Sequence, residues 1–136
     1  MEFLVNIKSP KLKKYFELIL PRMITELGLD KSQKVVVVTV EGDCPDLGLT
    51  VAMPAVGGFV IIIKAGQSIV ELGRSLAHEL VHVRQMAKGT LKAASRGAHT
   101  WAGKRYPAST PYYSRPWEVD AFSRQEIIFR RAVCEQ

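Results

Sequence analysis

Two short runs constrain this chain more than any other feature: Val35-Val36-Val37-Val38-Thr39-Val40 and Phe59-Val60-Ile61-Ile62-Ile63. Almost every residue in them is β-branched or aromatic, the types that suit extended, pleated backbone. Neither run alternates apolar with polar as a half-solvated strand does, and both are too short to be buried helices. Residues 34–40 therefore read as a strand buried on both faces, and residues 58–64 as a second strong strand. Residues 47–53 form a weaker strand between them, and residues 1–7 a short strand or extended lead-in. The segment from Glu41 to Asp46 and the stretch 54–58 have turn composition. Strands that follow one another over such short connections favour an antiparallel meander.

Helices account for the rest of the chain. Ser9-Pro10 opens the first, with Ser9 as N-cap and Pro10 at the first helical position. Leu12, Phe16, Ile19, Leu20, Met23 and Leu27 continue it at helical spacing to Gly28, and Pro21 should kink or split it. Ser68 with Glu71 three residues on fits a capping box, so a helix of about 20 residues should run over 69–88 and stop at Gly89. Residues 90–107 read as a hairpin or irregular loop and 108–115 as a loop rich in Pro, Ser and Tyr. Pro116 opens the last helix, to about Val133, with Ala121, Phe122, Ile128, Phe129 and Val133 as its apolar positions. The expected class is α+β, in one domain spanning residues 1–136.

Charge and cysteine content exclude several alternatives. A chain of 136 residues with 47% hydrophobic and 24% charged residues can build a core without disulfide staples and is neither disordered nor fibrous. The formal net charge is +6, and it is unevenly placed. Residues 1–83 carry 9 Lys+Arg against 9 Asp+Glu, whereas residues 84–136 carry 10 against 4. No run approaches the roughly 18 apolar residues of a membrane span, and the N-terminus lacks the basic and apolar regions of a signal peptide. Cys44 and Cys134 lie far apart and form no C-x-x-C pair, which suits two reduced thiols. A cytoplasmic protein with no membrane contact is expected.

The middle helix carries His78-Glu79-Leu80-Val81-His82, an H-E-x-x-H sequence. Residues four apart on a helix lie one turn above each other, so both imidazoles face the same way and can share one divalent metal, zinc above all. Glu79, one position along, is placed to take a proton from water beside the metal. With three histidines and nine glutamates in the chain, chance produces this pattern in roughly a few chains per thousand. Ile69, Leu72, Leu76, Leu80 and Val83 already form the apolar stripe that seats the helix. His78 and His82 fall beside that stripe, with Gln85 further along their own face. Burying Glu79 there without a partner would be costly.

A catalytic zinc takes three protein ligands and keeps one position open. His99, Glu118 and Asp120 are the candidates for the third. The short spacing that would put a histidine six residues after the second is absent, because that position is Lys88. The run Pro116-Trp117-Glu118-Val119-Asp120-Ala121 and the stretch Trp101-Ala102-Gly103-Lys104-Arg105-Tyr106 complete a wider pattern. Over residues 68–126 the chain resembles small single-domain zincin metallopeptidases of the gluzincin type, such as minimal peptidases of phages and bacteria, and more distantly the SprT-like zincins. The resemblance implies a minimal zincin fold: an N-terminal helix, a small mostly antiparallel sheet, the H-E-x-x-H helix and a C-terminal helix bringing Glu118 as third ligand. Such families often place an aspartate four residues after that glutamate to orient a metal histidine. Here the position is Phe122, which leaves the task to Asp120 or a backbone carbonyl.

The function this implies is zinc-dependent hydrolysis of peptide bonds, with Zn2+ held by His78, His82 and Glu118 and with Glu79 as general base. Tyr112, Tyr113, Arg115 and His99 are candidates for stabilising the oxyanion or binding substrate, each with an alternative as loop packing. In the family's fold an edge strand pairs with an extended peptide, and residues 58–64 are the candidate neighbourhood for it. A protein or peptide is the expected partner. The basic C-terminal part hints at an acidic peptide or a nucleic-acid-associated target, and SprT-like zincins act at DNA. No zinc ribbon, helix-turn-helix or aromatic-basic strand supports nucleic acid here. The alternative function is a zinc-stabilised, non-catalytic binding or structural protein, for instance in phage assembly.

Overall fold

The computed structural model describes residues 1–134. Its elements are β1 (Glu2–Asn6), α1 (Pro10–Glu26), β2 (Val35–Glu41), β3 (Gly48–Met53), β4 (Gly58–Lys64), α2 (Ile69–Ala87), β5 (Leu91–Ala93), β6 (His99–Trp101), β7 (Lys104–Tyr106) and α3 (Pro116–Cys134). The class is α+β, as the sequence implies. Helix α1 starts where Ser9 Oγ accepts from the Leu12 amide at 3.3 Å, and it runs unbroken through Pro21. Ser68 caps α2 in the same way, through the Glu71 amide at 3.2 Å.

The main sheet has the order β1-β2-β4-β3 and is mixed rather than a meander. β1 pairs with β2, and β2 with β4, in parallel; only β3 is antiparallel to its neighbour β4. Hydrophobicity decides this order. The two most apolar strands, β2 and β4, take the interior positions, and α1 carries the chain across so that β1 and β2 run the same way. The weaker β3 is left at the edge, and β4 folds back between it and β2. The edge strand is therefore residues 48–53, and residues 58–64 lie inside the sheet.

All three helices lie on one side. Val36, Val38, Ile61 and Ile63 turn toward them and are fully buried in one core with Phe16, Ile19, Leu20 and Met23 of α1 and Leu72, Leu76, Leu80 and Val83 of α2. Each such side chain contributes about 1.5–3 kcal/mol by leaving water. α3 packs on α2 and α1 through Ala121, Ile128, Phe129 and Ala132, while Phe122 and Val133 are exposed. Ile69, expected in the apolar stripe of α2, is exposed in its first turn. The other side of the sheet has no helix among the described residues, so β2 is buried on one face only.

After α2 the chain makes a small antiparallel sheet, β5-β6-β7. Ala102 and Gly103 join β6 to β7 with φ of +51° and +87°, the backbone of a two-residue hairpin turn that twists with its strands. The Trp101–Tyr106 stretch is thus a hairpin. Its Tyr106 and His99 rings stand 5.8 and 5.3 Å from the Trp117 ring and brace the first turn of α3. Cys44 is buried in the loop after β2, Cys134 is exposed, and both are free thiols. No helix among the described residues is long and apolar enough to cross a membrane.

Candidate metal centre

α2 presents His78, Glu79, His82 and Gln85 as a buried polar strip beside its apolar stripe, and α3 sets Glu118 against it. Glu118 Oε1 lies 2.9 Å from His78 Nε2 and 3.2 Å from His82 Nε2. The two imidazoles stand edge to face, centroids 4.9 Å apart. The ligand atoms of His78, Glu79 and His82 fall within 4.8 Å of one another.

The far side of each ring decides what this arrangement can hold. His82 Nδ1 meets Gln85 Oε1 at 2.8 Å, and Gln85 Nε2 donates to Trp117 O and to Asp120 Oδ2, both at 2.9 Å. Those two acceptors fix which end of the amide faces the ring, so His82 carries its proton on Nδ1. His78 Nδ1 meets Gln125 Oε1 at 2.6 Å. With Nδ1 protonated, His82 turns an Nε2 lone pair toward the Glu118 carboxylate, and His78 does the same in the tautomer whose Nδ1–H is accepted by Gln125 Oε1. Two lone pairs and an anionic oxygen converging in a buried place call for a cation, either protons or a metal ion. A tetrahedral zinc with bonds of 2.0–2.1 Å separates its ligand atoms by about 3.3 Å, close to the spacings seen here. The donor set therefore fits zinc, with Asp120 acting through Gln85 where a direct carboxylate was a candidate.

In the protein without an ion, protons do this work. Burial lowers the affinity of His82 for its proton, but the hydrogen bond and charge of Glu118 outweigh it and hold its pKa above the ordinary value. Burial raises the Glu118 carboxyl, but the bonds from His78 and His82 hold it far below the usual carboxylate range. Glu79 shows the opposite balance. Its burial pushes the pKa up, and His82 and Thr50 offset this only in part.

β3 contacts Glu79 directly. Thr50 Oγ1 lies 2.7 Å from Glu79 Oε1, and a Cβ on Gly48 would come within 2.8 Å of Glu79 Cγ. Only glycine lets the strand pass this close. On the opposite side the Tyr112 hydroxyl donates to Glu118 Oε1 at 3.1 Å. Burial, then the Glu118 carboxylate, push its pKa well up, so the phenol remains a donor.

A cleft runs between β3 and the segment around Tyr112, with a cavity on each side of Glu79. One, of about 380 Å3, adjoins His78 and is walled by Leu47, Tyr113 and Phe122. The other, of about 240 Å3, adjoins His82 and reaches Leu91, His99, Arg115 and Trp117. Of the other candidates, Tyr113 is exposed at the rim of the first cavity, edge to face with Tyr112 and tilted against Phe122. Arg115 is tied to the carbonyls of Thr110 and Ala108, and His99 lies against Trp117. Thus Glu118, not His99 or Asp120, meets both histidines.

Thr50, Gly48 and Gln125 are additions that the sequence reasoning did not single out. Gln125 had a signal, since it lies seven residues after Glu118 and so on the same face of α3. Thr50 and Gly48 had none, because their role depends on which strand takes the edge. Compared with known protein families, curated proteins and solved structures, the chain finds no match.

Proposed function

We propose that this chain is a zinc-dependent peptidase built on a minimal zincin core. The observation that carries the reading is the convergence of both Nε2 atoms on Glu118, each imidazole held from behind by a glutamine, with Glu79 beside them in an open cleft. Zinc held by His78, His82 and Glu118 would supply a Lewis acid that polarises a carbonyl and acidifies water.

The chain's own residues supply the rest. Glu79 has its carboxylate steadied by Thr50 and its proton affinity raised by burial, as suits a group that takes a proton from water and gives it to a departing amine. Water's oxygen adds to the peptide carbon, and the C–N bond breaks as that nitrogen is protonated. The Tyr112 hydroxyl donates to Glu118 Oε1 at 3.1 Å, and turned from it into the cleft it would donate to charge developing on the carbonyl oxygen. β3 leaves one edge of its backbone unpaired along the cleft, where an extended, unfolded peptide can add as a further strand.

The test is zinc stoichiometry together with hydrolysis of casein or an unfolded peptide library, each with and without a chelator. One zinc per chain and chelator-sensitive hydrolysis are expected. Bound zinc without turnover on any unfolded substrate would replace this reading with that of a zinc-stabilised binding protein. Absence of zinc binding would refute both.

A further inference from the structure

The patterning of β2 and β4 demands burial on both faces, and the fold supplies it on one. On the face turned away from the helices, Leu4, Val37, Val60 and Val51 form an in-register apolar row across the whole sheet, flanked on β3 by Leu49 and Met53. Leu4 is 58% exposed, and Leu49, Val51 and Met53 are 40%, 39% and 41% exposed. With their half-buried neighbours they leave on the order of 500 Å2 of contiguous apolar surface open, toward the top of the range for the largest patch on a monomer. Together with its polar margin, this face approaches the about 800 Å2 that each partner brings to a standard interface.

We infer that this face is the interface of a two-fold dimer, covered by the same face of a second copy of the chain. Charge selects that occupant. The margin carries Glu2 and Glu41 against Lys64, nearly neutral in a chain of net +6. Nucleic acid finds no cluster of cations here, whereas a second copy meets no like-charge barrier at this face and avoids it elsewhere by apposing only this face. Shape agrees, since a twisted apolar sheet packs on another sheet at about 10 Å with side chains interdigitated. An isologous contact covers both patches at once, so this face takes part in no growth beyond two copies. The metal centre and its helices lie on the opposite side of the sheet, so the dimer keeps both clefts open.

Sedimentation velocity on the full chain, from low to high micromolar concentration, tests this independently of any metal or activity. Wild type should sediment at twice the chain mass. Leu4→Lys and Val51→Lys occupy exposed edge-strand positions where lysine is tolerated. Each should raise the dimer dissociation constant at least tenfold, and the double variant should be monomeric with unchanged circular dichroism. Leu18→Lys, on an exposed position of α1, should leave the dimer intact. A wild-type chain monomeric at high micromolar concentration overturns the inference. So does a dimer that survives the double substitution or is lost in Leu18→Lys.

Discussion

Replacing Gln85 with leucine separates a metal centre from a merely packed cluster. Gln85 is 4% exposed, and its amide makes three hydrogen bonds, to His82 Nδ1 at 2.8 Å and to Trp117 O and Asp120 Oδ2 at 2.9 Å. Leucine has nearly the same volume, so no cavity term enters. Asp120 keeps Arg124 at 2.7 Å and Trp117 O keeps its place in the hydrogen-bond ladder of α3, but His82 Nδ1–H loses its partner inside the protein. A stranded donor of this kind costs about 1–3 kcal/mol, so metal-free Gln85→Leu should lose about that much in urea unfolding. Freed from its tether, the His82 ring no longer holds its Nε2 on the line to Glu118. Loss of such an orienting bond weakens metal binding by about 10–100-fold, or about 1.4–2.7 kcal/mol. Competition against a chromogenic chelator measures this directly. Gln85→Glu supplies the control. It still accepts from His82, but sets a carboxylate against Asp120 Oδ2 and Trp117 O, so it should bind zinc more tightly than the leucine variant although its fold is weakened. If Gln85→Leu bound zinc within twofold of wild type, the amide would be structural only and the reasoning on imidazole orientation would fail.

Three further outcomes are expected. Glu79→Gln should bind zinc as wild type does while hydrolysis falls by about 10²–10⁴-fold, and a fully active variant would remove Glu79 from the chemistry. Gly48→Ala drives a methyl group to 2.8 Å from Glu79 Cγ, which should cost about 1–3 kcal/mol in thermal unfolding and depress turnover more than zinc affinity. In the metal-free protein, His82 lies above its ordinary 6.5, so its contribution is complete below that pH and fades as pH rises through the folded value. Glu118 lies below its ordinary 4.5, so its contribution is complete above that pH and fades as pH falls through the folded value. The pair should stabilise the metal-free chain most between these pH values. Saturating zinc, which competes with protons at Nε2, should move the maximum in Tm to higher pH; melting curves with the same maximum in both states would count against a shared site.

Local signals in the sequence located most elements closely. Ser9 and Ser68 each cap a helix in the structure, and Pro116 begins α3, because capping is decided within one turn. The H-E-x-x-H face was equally legible, since helical periodicity alone brings His78 and His82 together. The pairing order of the strands was not. Whether β3 lies between β2 and β4, as in a meander, or at the edge beyond β4 depends on a competition for buried positions, and short connections permit either. That one unknown carried the edge strand with it, and so hid Thr50 and Gly48. Phe122 illustrates a different limit. Its position on α3 is apolar by spacing, yet its ring stands 4.6 Å from His78 at the mouth of a cavity rather than in the core.

The positive charge of the C-terminal part takes on a narrower meaning once placed in space. Residues 84–136 hold the whole excess, and in the chain they flank the candidate site, yet they do not make the cleft basic. Its walls bear Asp46, Glu71, Glu79 and Glu118 against Arg74 and Arg115. Arg74 is occupied by Glu71 and Glu126, and the Arg115 guanidinium is bound to main-chain carbonyls. Arg84, Lys88 and Arg124 gather instead around a separate hollow behind Gln85, on the far side of the metal ligands. A peptide lying along β3, as proposed, would therefore meet an acid-rich wall and a free backbone edge. Backbone pairing and the apolar side of the cavity beside His78 are left as its chief means of recognition.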